Sequence, residues 1–298
     1  MAHNQHTKSS YNQDLNLMYP NRDAWLELAG DWKDPFEDPI VVNHDGFNVV
    51  REDLMGFGSK CRFGDILVST AQSDTLVYVQ PRYGFAGISL AYLAKKYNKK
   101  LVLFSPSQEE ISDHQAICIE RGAEMKFKRI AAMPVLNSHA KKWAEENNAF
   151  FIPLGLKHEL VTAAAVKVAY DLAQKHGEPE EVWSAISTGV LSRALQIAWP
   201  NAQFNGVAVA RNIQEGERGR ATVWSHPKAF NQNVDAKFIP PFPSALNYDA
   251  KAWEFMKKHG NPGAWFWNVG GDPKPENPQT KLITDSKREW GEIRTSDL

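Results

Sequence analysis

From residue 74 onward the chain alternates between short apolar runs and helical patterns with brief links, and this alternation constrains the fold most. Thr75–Val79 reads as a strand, Gly87–Tyr97 as a helix and Lys100–Phe104 as a second strand. Ser107-x-x-Glu110 reads as a capping box opening a helix that stops near Gly122. Met125–Lys128, Val135–Asn147 and Ala149–Ile152 continue the series as strand, helix and strand. A second set follows, with helices at Leu160–His176, Val190–Trp199 and Asn247–His259 and strands at Val182–Ile186, Gly206–Ala210 and Ala264–Asn268. Strands joined through helices require right-handed crossovers, so the expectation is an α/β protein of two three-layer parallel-sheet domains.

The first 45 residues are different. Asp34-Pro35-Phe36-Glu37-Asp38-Pro39 cannot form a helix interior, because each proline lacks a donor and restricts its predecessor. The stretch is expected to be an extended arm, followed by two short strands, Val41-Val42 and Asn48–Arg51, around an Asp45-Gly46 turn. Lys and Arg number 34 against 35 Asp and Glu, which removes the polyelectrolyte reason to expect nucleic-acid binding. Apolar residues make up 43% of the 298, enough for a core, and no run approaches a membrane span. The polar start Met1–His6 has no signal core, so a soluble, cytoplasmic protein is expected. Cys61 and Cys118 are too few and too distant for a disulfide scaffold, and no metal site is expected.

In open α/β sheets ligands collect at the carboxyl ends of strands, against helix N-termini. Three loops have that position: Gln80–Gly87, Ser187–Ser192 and Asn268–Gly271. A fourth candidate is Arg51-Glu52-Asp53-Leu54-Met55-Gly56-Phe57-Gly58-Ser59-Lys60, an acidic strand end, a glycine-rich turn and a lysine. A partly desolvated lysine there could act as an amine nucleophile. On composition alone the plainer reading of Lys60 is a surface lysine after a flexible turn.

Taken together, Arg51–Leu54, Gly-Phe-Gly-Ser-Lys60 and Arg62 resemble the start of the fold-type II pyridoxal-phosphate enzymes, the tryptophan synthase β-like group. The aminocyclopropanecarboxylate deaminases and D-cysteine desulfhydrases have a similar acidic strand, then Gly-Gly-Asn-Lys with Arg close behind. Asp74–Val77 looks like the same group, and Gly87–Ala94 like the helix after the substrate loop of cysteine synthases. Ile152–Gly155, Ile186–Gly189 and Trp267–Gly271 follow the family's order, the resemblance covering roughly residues 48 to 272. It implies pyridoxal 5'-phosphate as cofactor, with Lys60 holding it covalently and moving a proton at the substrate's α-carbon. It also implies a large cofactor-binding domain at 46–73 and 151–298, a small domain at 74–150 and an arm at 1–45.

By the same resemblance Ser187, Thr188, Gly189, Val190, Leu191 and Ser192 bind the phosphate, and Phe85 and Val269 stand beside the ring. Ser59, Arg82, Tyr83, Gly84, Ala86 and Tyr248 face an amino-acid-like anionic substrate, and a homodimer is expected. The departures are specific. Arg82–Ala86 stands where cysteine synthases have Thr-Ser-Gly-Asn-Thr, so Phe85 cannot make the asparagine's hydrogen bond and Arg82 adds an anion clamp. Residues 187–192 keep one glycine of Gly-Thr-Gly-Gly-Thr, and Val269 stands where relatives carry a hydroxyl for the pyridine nitrogen. These losses leave open a non-catalytic relative with a binding or scaffolding role, and a nucleotide- or phosphoribosyl-binding enzyme ranks below both. A modified nucleotide or base remains open as a substrate. His158 and His226 are expected to be structural, Trp199, Trp265 and Trp267 to be core, and Arg211, Glu215, Glu217, Arg218 and Arg220 to form a solvated loop.

Overall fold

In the computed structural model, which describes residues 17–107, 110–129, 132–210, 213 and 215–277, the elements follow in chain order. They are α1 (Arg22–Ala29), β1 (Val41–His44), β2 (Phe47–Arg51), α2 (Ser59–Thr70), β3 (Thr75–Val79), α3 (Phe85–Lys96) and β4 (Lys100–Pro106). Next come α4 (Asp113–Glu120), β5 (Glu124–Lys128), α5 (Met133–Glu146), β6 (Phe150–Phe151) and α6 (Glu159–His176). The last are β7 (Glu181–Ile186), α7 (Val190–Ala198), β8 (Gln203–Ala208), α8 (Glu215–Arg218), β9 (Thr222–Ser225), α9 (Asp249–His259) and β10 (Trp265–Asn268). None of the described helices is long and apolar enough to cross a membrane.

The chain forms two compact units: residues up to Met55 with Lys157–Asp272, and Gly56–Leu156 with the described residues from Pro273. Residues 56–73, expected in the larger domain, therefore fall in the smaller unit. The reason is α2, which lies along α3: a Cβ on Gly64 would stand 3.3 Å from Leu93, and Asp65 takes Lys96 at 2.9 Å and the Tyr97 hydroxyl at 2.5 Å.

The larger unit carries a six-stranded sheet in the order β1-β2-β10-β7-β8-β9. Asp45 and Gly46, at φ 55° and 85°, turn the chain so that β1 runs antiparallel to β2, and the other neighbours are parallel. Alternate residues divide the faces: Phe47, Val49, Trp183, Ala185, Val207 and Phe266 pack with Trp253 and Met256 of α9. On the other face Trp265 and Trp267 meet Trp199, at 5.7 and 6.1 Å between ring centroids, and the Trp199 indole donates to Ala169 O of α6. The smaller unit has four parallel strands in the order β5-β4-β3-β6. Val77, Val79, Val102 and Phe104 pack on Leu136, Ala140 and Ala144 of α5.

Three further expectations need correction. The arm is not wholly extended, because Asn21 caps α1 by accepting from Ala24 N at 3.0 Å. Ser107 does not open a helix; its N–H donates to Lys128 O at 2.8 Å, prolonging the β4–β5 ladder. The capping box is instead Ser112 with Gln115, at the start of α4. The charged cluster is not simply solvated. Glu217 is buried and pairs with Lys157 at 2.6 Å, and Arg220 donates to the carbonyls of Ala202, Trp199 and Gln196. Arg218 is exposed, while Arg211 and the Glu215 side chain lie outside the described residues.

Candidate functional site

In the smaller unit the chain moves from β3 outward through β4 to β5 and returns to the other side of β3 as β6. The carboxyl end of β3 is thus a topological switch point, where an α/β sheet opens a crevice. The turn there is fixed by Gln80, which is fully buried. Its amide donates to Gly84 O at 2.6 Å and accepts from Gly87 N at 2.8 Å. Gln80 O accepts from the Ser105 hydroxyl at 2.7 Å, and Ser105 accepts from the Gln115 amide at 2.8 Å. Gln115 Oε1 accepts from Ser112 N at 2.8 Å, and the Ser112 hydroxyl donates to Arg82 O. One buried polar chain therefore holds the turn at both ends.

The turn presents Arg82, Tyr83, Gly84, Phe85 and Ala86. Gly84 is the N-cap of α3 and gives no side-chain cap. The Arg82 guanidinium lies 5.4 Å from the Tyr83 ring, and its Nε is buried with no partner among the described residues. Phe85 and Tyr83 meet His114 edge to face at 5.3 and 6.3 Å. Burial pulls the His114 imidazole down to about 4.

Lys60 is not on a flexible turn. Gly56 and Gly58 take φ of 71° and 76°, and between them Phe57 stacks on Tyr92 at 4.0 Å beneath the Arg121 guanidinium at 4.7 Å. The Phe57 carbonyl accepts from the Ser89 hydroxyl at 2.6 Å. So anchored, the chain enters α2 at once, with Ser59 buried and Lys60 half-buried in the first turn. Both cysteines are buried, and desolvation pushes the Cys118 thiol up to about 12, which removes it as a nucleophile.

In the larger unit β7, β8 and β9 succeed one another in one direction, and β10 lies on the other side of β7, so the switch point falls between β7 and β10. After β7, Ser187 and Thr188 are half-buried and Gly189 turns left-handed at φ 76°. Helix α7 starts there with no side-chain cap, leaving its first backbone donors for a ligand or solvent. Val190 and Leu191 are half-buried, whereas Ser192 is buried and its hydroxyl accepts from the Gln196 amide at 3.1 Å.

After β10, Asn268 is fully buried and its amide donates to Asp53 at 2.7 Å and to Pro243 O at 2.9 Å. Asp53 is held by two Arg51 donors at 2.8 and 2.7 Å. Val269 is half-buried, with its N–H on Asp249 at 3.1 Å. Since β7 and β10 are paired neighbours, residues 187–192 and Val269 leave one sheet edge together.

Tyr248 stands at the start of α9 with its ring edge-on to Phe230 at 6.3 Å, and burial pushes its phenol up. His158 caps α6 by accepting from Leu160 N at 3.2 Å. His226 accepts from Lys228 N at 3.1 Å and faces Glu254 at 3.2 Å. Gln80 and Ser244 were not singled out from sequence as site residues, nor was Lys251. Lys251 is fully buried, donates to Ala229 O at 2.8 Å, and is driven down to about 8 by desolvation. Among the described residues no His, Cys, Asp and Glu group could hold a metal ion.

No protein-family model and no curated protein matches the sequence. Solved structures do share its architecture. An ACC deaminase homologue superposes with a TM-score of 0.73 at 16% identity, over 92% of this chain and 99% of that one. A threonine deaminase from T.th. gives 0.65 at 17%, over 84% and 98%. A pyridoxal 5'-phosphate-dependent aspartate racemase gives 0.64 at 12%, over 87% and 98%. The fold is the fold-type II architecture that the motifs resemble.

Proposed function

We propose that the protein is a pyridoxal-phosphate-dependent enzyme that carries out elimination, replacement or deamination on an amino acid or amino-acid-like anionic substrate. The observation that carries this reading is Lys60, set in the first turn of a buried helix by the Phe57 anchor, in a chain with the fold of a pyridoxal 5'-phosphate-dependent racemase. The donor set suits such a cofactor: the uncapped start of α7 offers backbone N–H groups and the positive end of a helix to an anion.

When bound, the cofactor supplies an electron-withdrawing ring that stabilises negative charge beside the substrate's amine. Lys60 would hold the cofactor through its ε-amine and, once that amine is released by the incoming substrate amine, would move the proton at the substrate's α-carbon. Ser187, Thr188, Gly189, Val190, Leu191 and Ser192 take the phosphate; Ser192 does so through its N–H, because its hydroxyl already serves Gln196. Phe85 and Val269 are the residues that would stand beside the ring. Ser59, Arg82, Tyr83, Gly84 and Ala86 would bind the substrate's anionic groups, Arg82 with the Nε that lacks a partner among the described residues, and Tyr248 is a further candidate substrate contact. The reading also carries a soluble cytoplasmic homodimer, checked by light scattering.

A specific observation favours a second reading, a non-catalytic binding protein of this fold: Ser192 is committed within α7, and Phe85 stands where relatives place an asparagine. One experiment separates the two. Incubation with pyridoxal phosphate should give an absorbance band towards the visible, and Lys60→Ala should abolish it. After borohydride reduction, peptide masses should place the pyridoxyl group on the peptide containing Lys60. Label on the Lys251 peptide would move the amine, and a protein that stays colourless would overturn the enzyme reading.

A further inference from the structure

We propose that the side-chain carbonyl of Asn268 accepts an N–H from the heteroaromatic ring of the ligand bound at the carboxyl edge of the larger unit's sheet, with Ser244 placed at the same strand exit by its neighbours Pro243 and Ala245. This rests on the cofactor reading above and adds to it a protonated ring nitrogen with a named partner. Asn268 closes β10 and is fully buried. Its Nδ2 donates to Asp53 Oδ1 and to Pro243 O, which fixes the amide's orientation, because a flip would set Oδ1 against two acceptors.

Oδ1 therefore faces away from both, buried, with no partner among the described residues. A buried oxygen in that state is rare in folded proteins and points to a donor that arrives from outside the chain. Ser244 supplies a second, independent instance. It is 5% exposed and its hydroxyl also lacks a partner among the described residues. It is placed next to the β10 exit from both sides, since Pro243 O accepts from Asn268 and Ala245 N donates to Gly270 O at 2.9 Å.

The chemistry is selective. An amide oxygen accepts and cannot donate, so it complements a protonated nitrogen and leaves a bare lone pair unsatisfied. Asp53, fixed by Arg51, draws on the Asn268 N–H and makes the far oxygen a better acceptor. The other groups at this edge are consistent with that polarity. Val269 has no side-chain donor, Asp249 accepts from Val269 N, and His44 faces Arg51 at 3.2 Å rather than the amide.

The test compares pyridoxal phosphate with its analogue carrying C–H in place of the ring nitrogen, read by absorbance and thermal shift. The wild-type protein should bind pyridoxal phosphate roughly tenfold or more tightly than the analogue. Asn268→Ala should bring the two affinities close together, and Ser244→Ala, which leaves the Asp53 bonds intact, should narrow the gap in part. Ring-labelled ¹⁵N cofactor should report a protonated nitrogen in the wild type and an unprotonated one in Asn268→Ala. If both ligands bind the wild type equally, or the preference survives in Asn268→Ala, this inference is overturned while the cofactor reading stands. If neither ligand binds or colours the wild type, the cofactor reading itself falls. The wild-type comparison needs no variant to fold.

Discussion

The turns that end β3 and β7 occupy equivalent places in their two sheets and are held by opposite means. The β3 turn is fixed by side chains, with Gln80 bridging Gly84 and Gly87 and the Ser105–Gln115–Ser112 chain securing Arg82 O. The β7 turn is fixed by backbone, with Gly189 left-handed and the Glu217 main chain lying where a Cβ would go. A turn clamped from behind by side chains can vary the residues it presents, and this one presents Arg82, Tyr83 and Phe85. A turn defined by its own backbone presents N–H groups and tolerates little else. In the function proposed above, the first turn is assigned to the substrate and the second to the anionic end of the cofactor.

Four changes would break or sharpen that contrast. Gly189→Ala should cost most, roughly 2–5 kcal/mol by urea denaturation, since it adds left-handed strain to a collision with Glu217. Gln80→Leu should cost roughly 2–3 kcal/mol, because it strands Gly87 N and Gly84 O, and it should loosen hydrogen exchange in residues 81–87 while leaving exchange in 187–192 unchanged. The third change is in pH. The folded pKa of His114 is below its ordinary value of 6.5, at about 4, so the unfolded chain takes up the proton first as pH falls between those values. Stability is full above 6.5 and should fall across that window by at most about 1.4 kcal/mol per pH unit. His114→Phe should flatten the slope. Gly84→Ala should matter least, under about 1 kcal/mol, because φ is −144° and the nearest atoms to an added Cβ are at 3.4 Å.

Much of the architecture was legible because the strands are short apolar runs. Val182–Ile186 reads as a buried parallel strand, and it is one. Helix α2 was not legible, because it is buried on nearly all sides: Arg62 and Asp65 are interior along with Cys61, Phe63, Ile66 and Leu67, so no polar face marks a helical period. Helix α1 did carry a signal, Asn21 before Asp23, which the nearby prolines outweighed. Of the site, the strand-to-helix turns could be read from glycines and order alone. Gln80 and Asn268 were recoverable as polar residues closing apolar strands. Ser244 was not, because its place depends on Ala245 pairing with Gly270 in a distant part of the chain.

The pairing of β2 with β10 has a consequence for how the chain is made. Asn48 to Arg51 lie against Trp265 to Asn268, and the whole of Gly56–Leu156 is synthesised between them. On the ribosome the smaller unit's four strands emerge in an unbroken stretch and can assemble early, while the β1–β2 hairpin waits for a neighbour made only after the whole of that unit. Until β10 appears, the edge of β2 that it covers in the folded chain has no partner from β10.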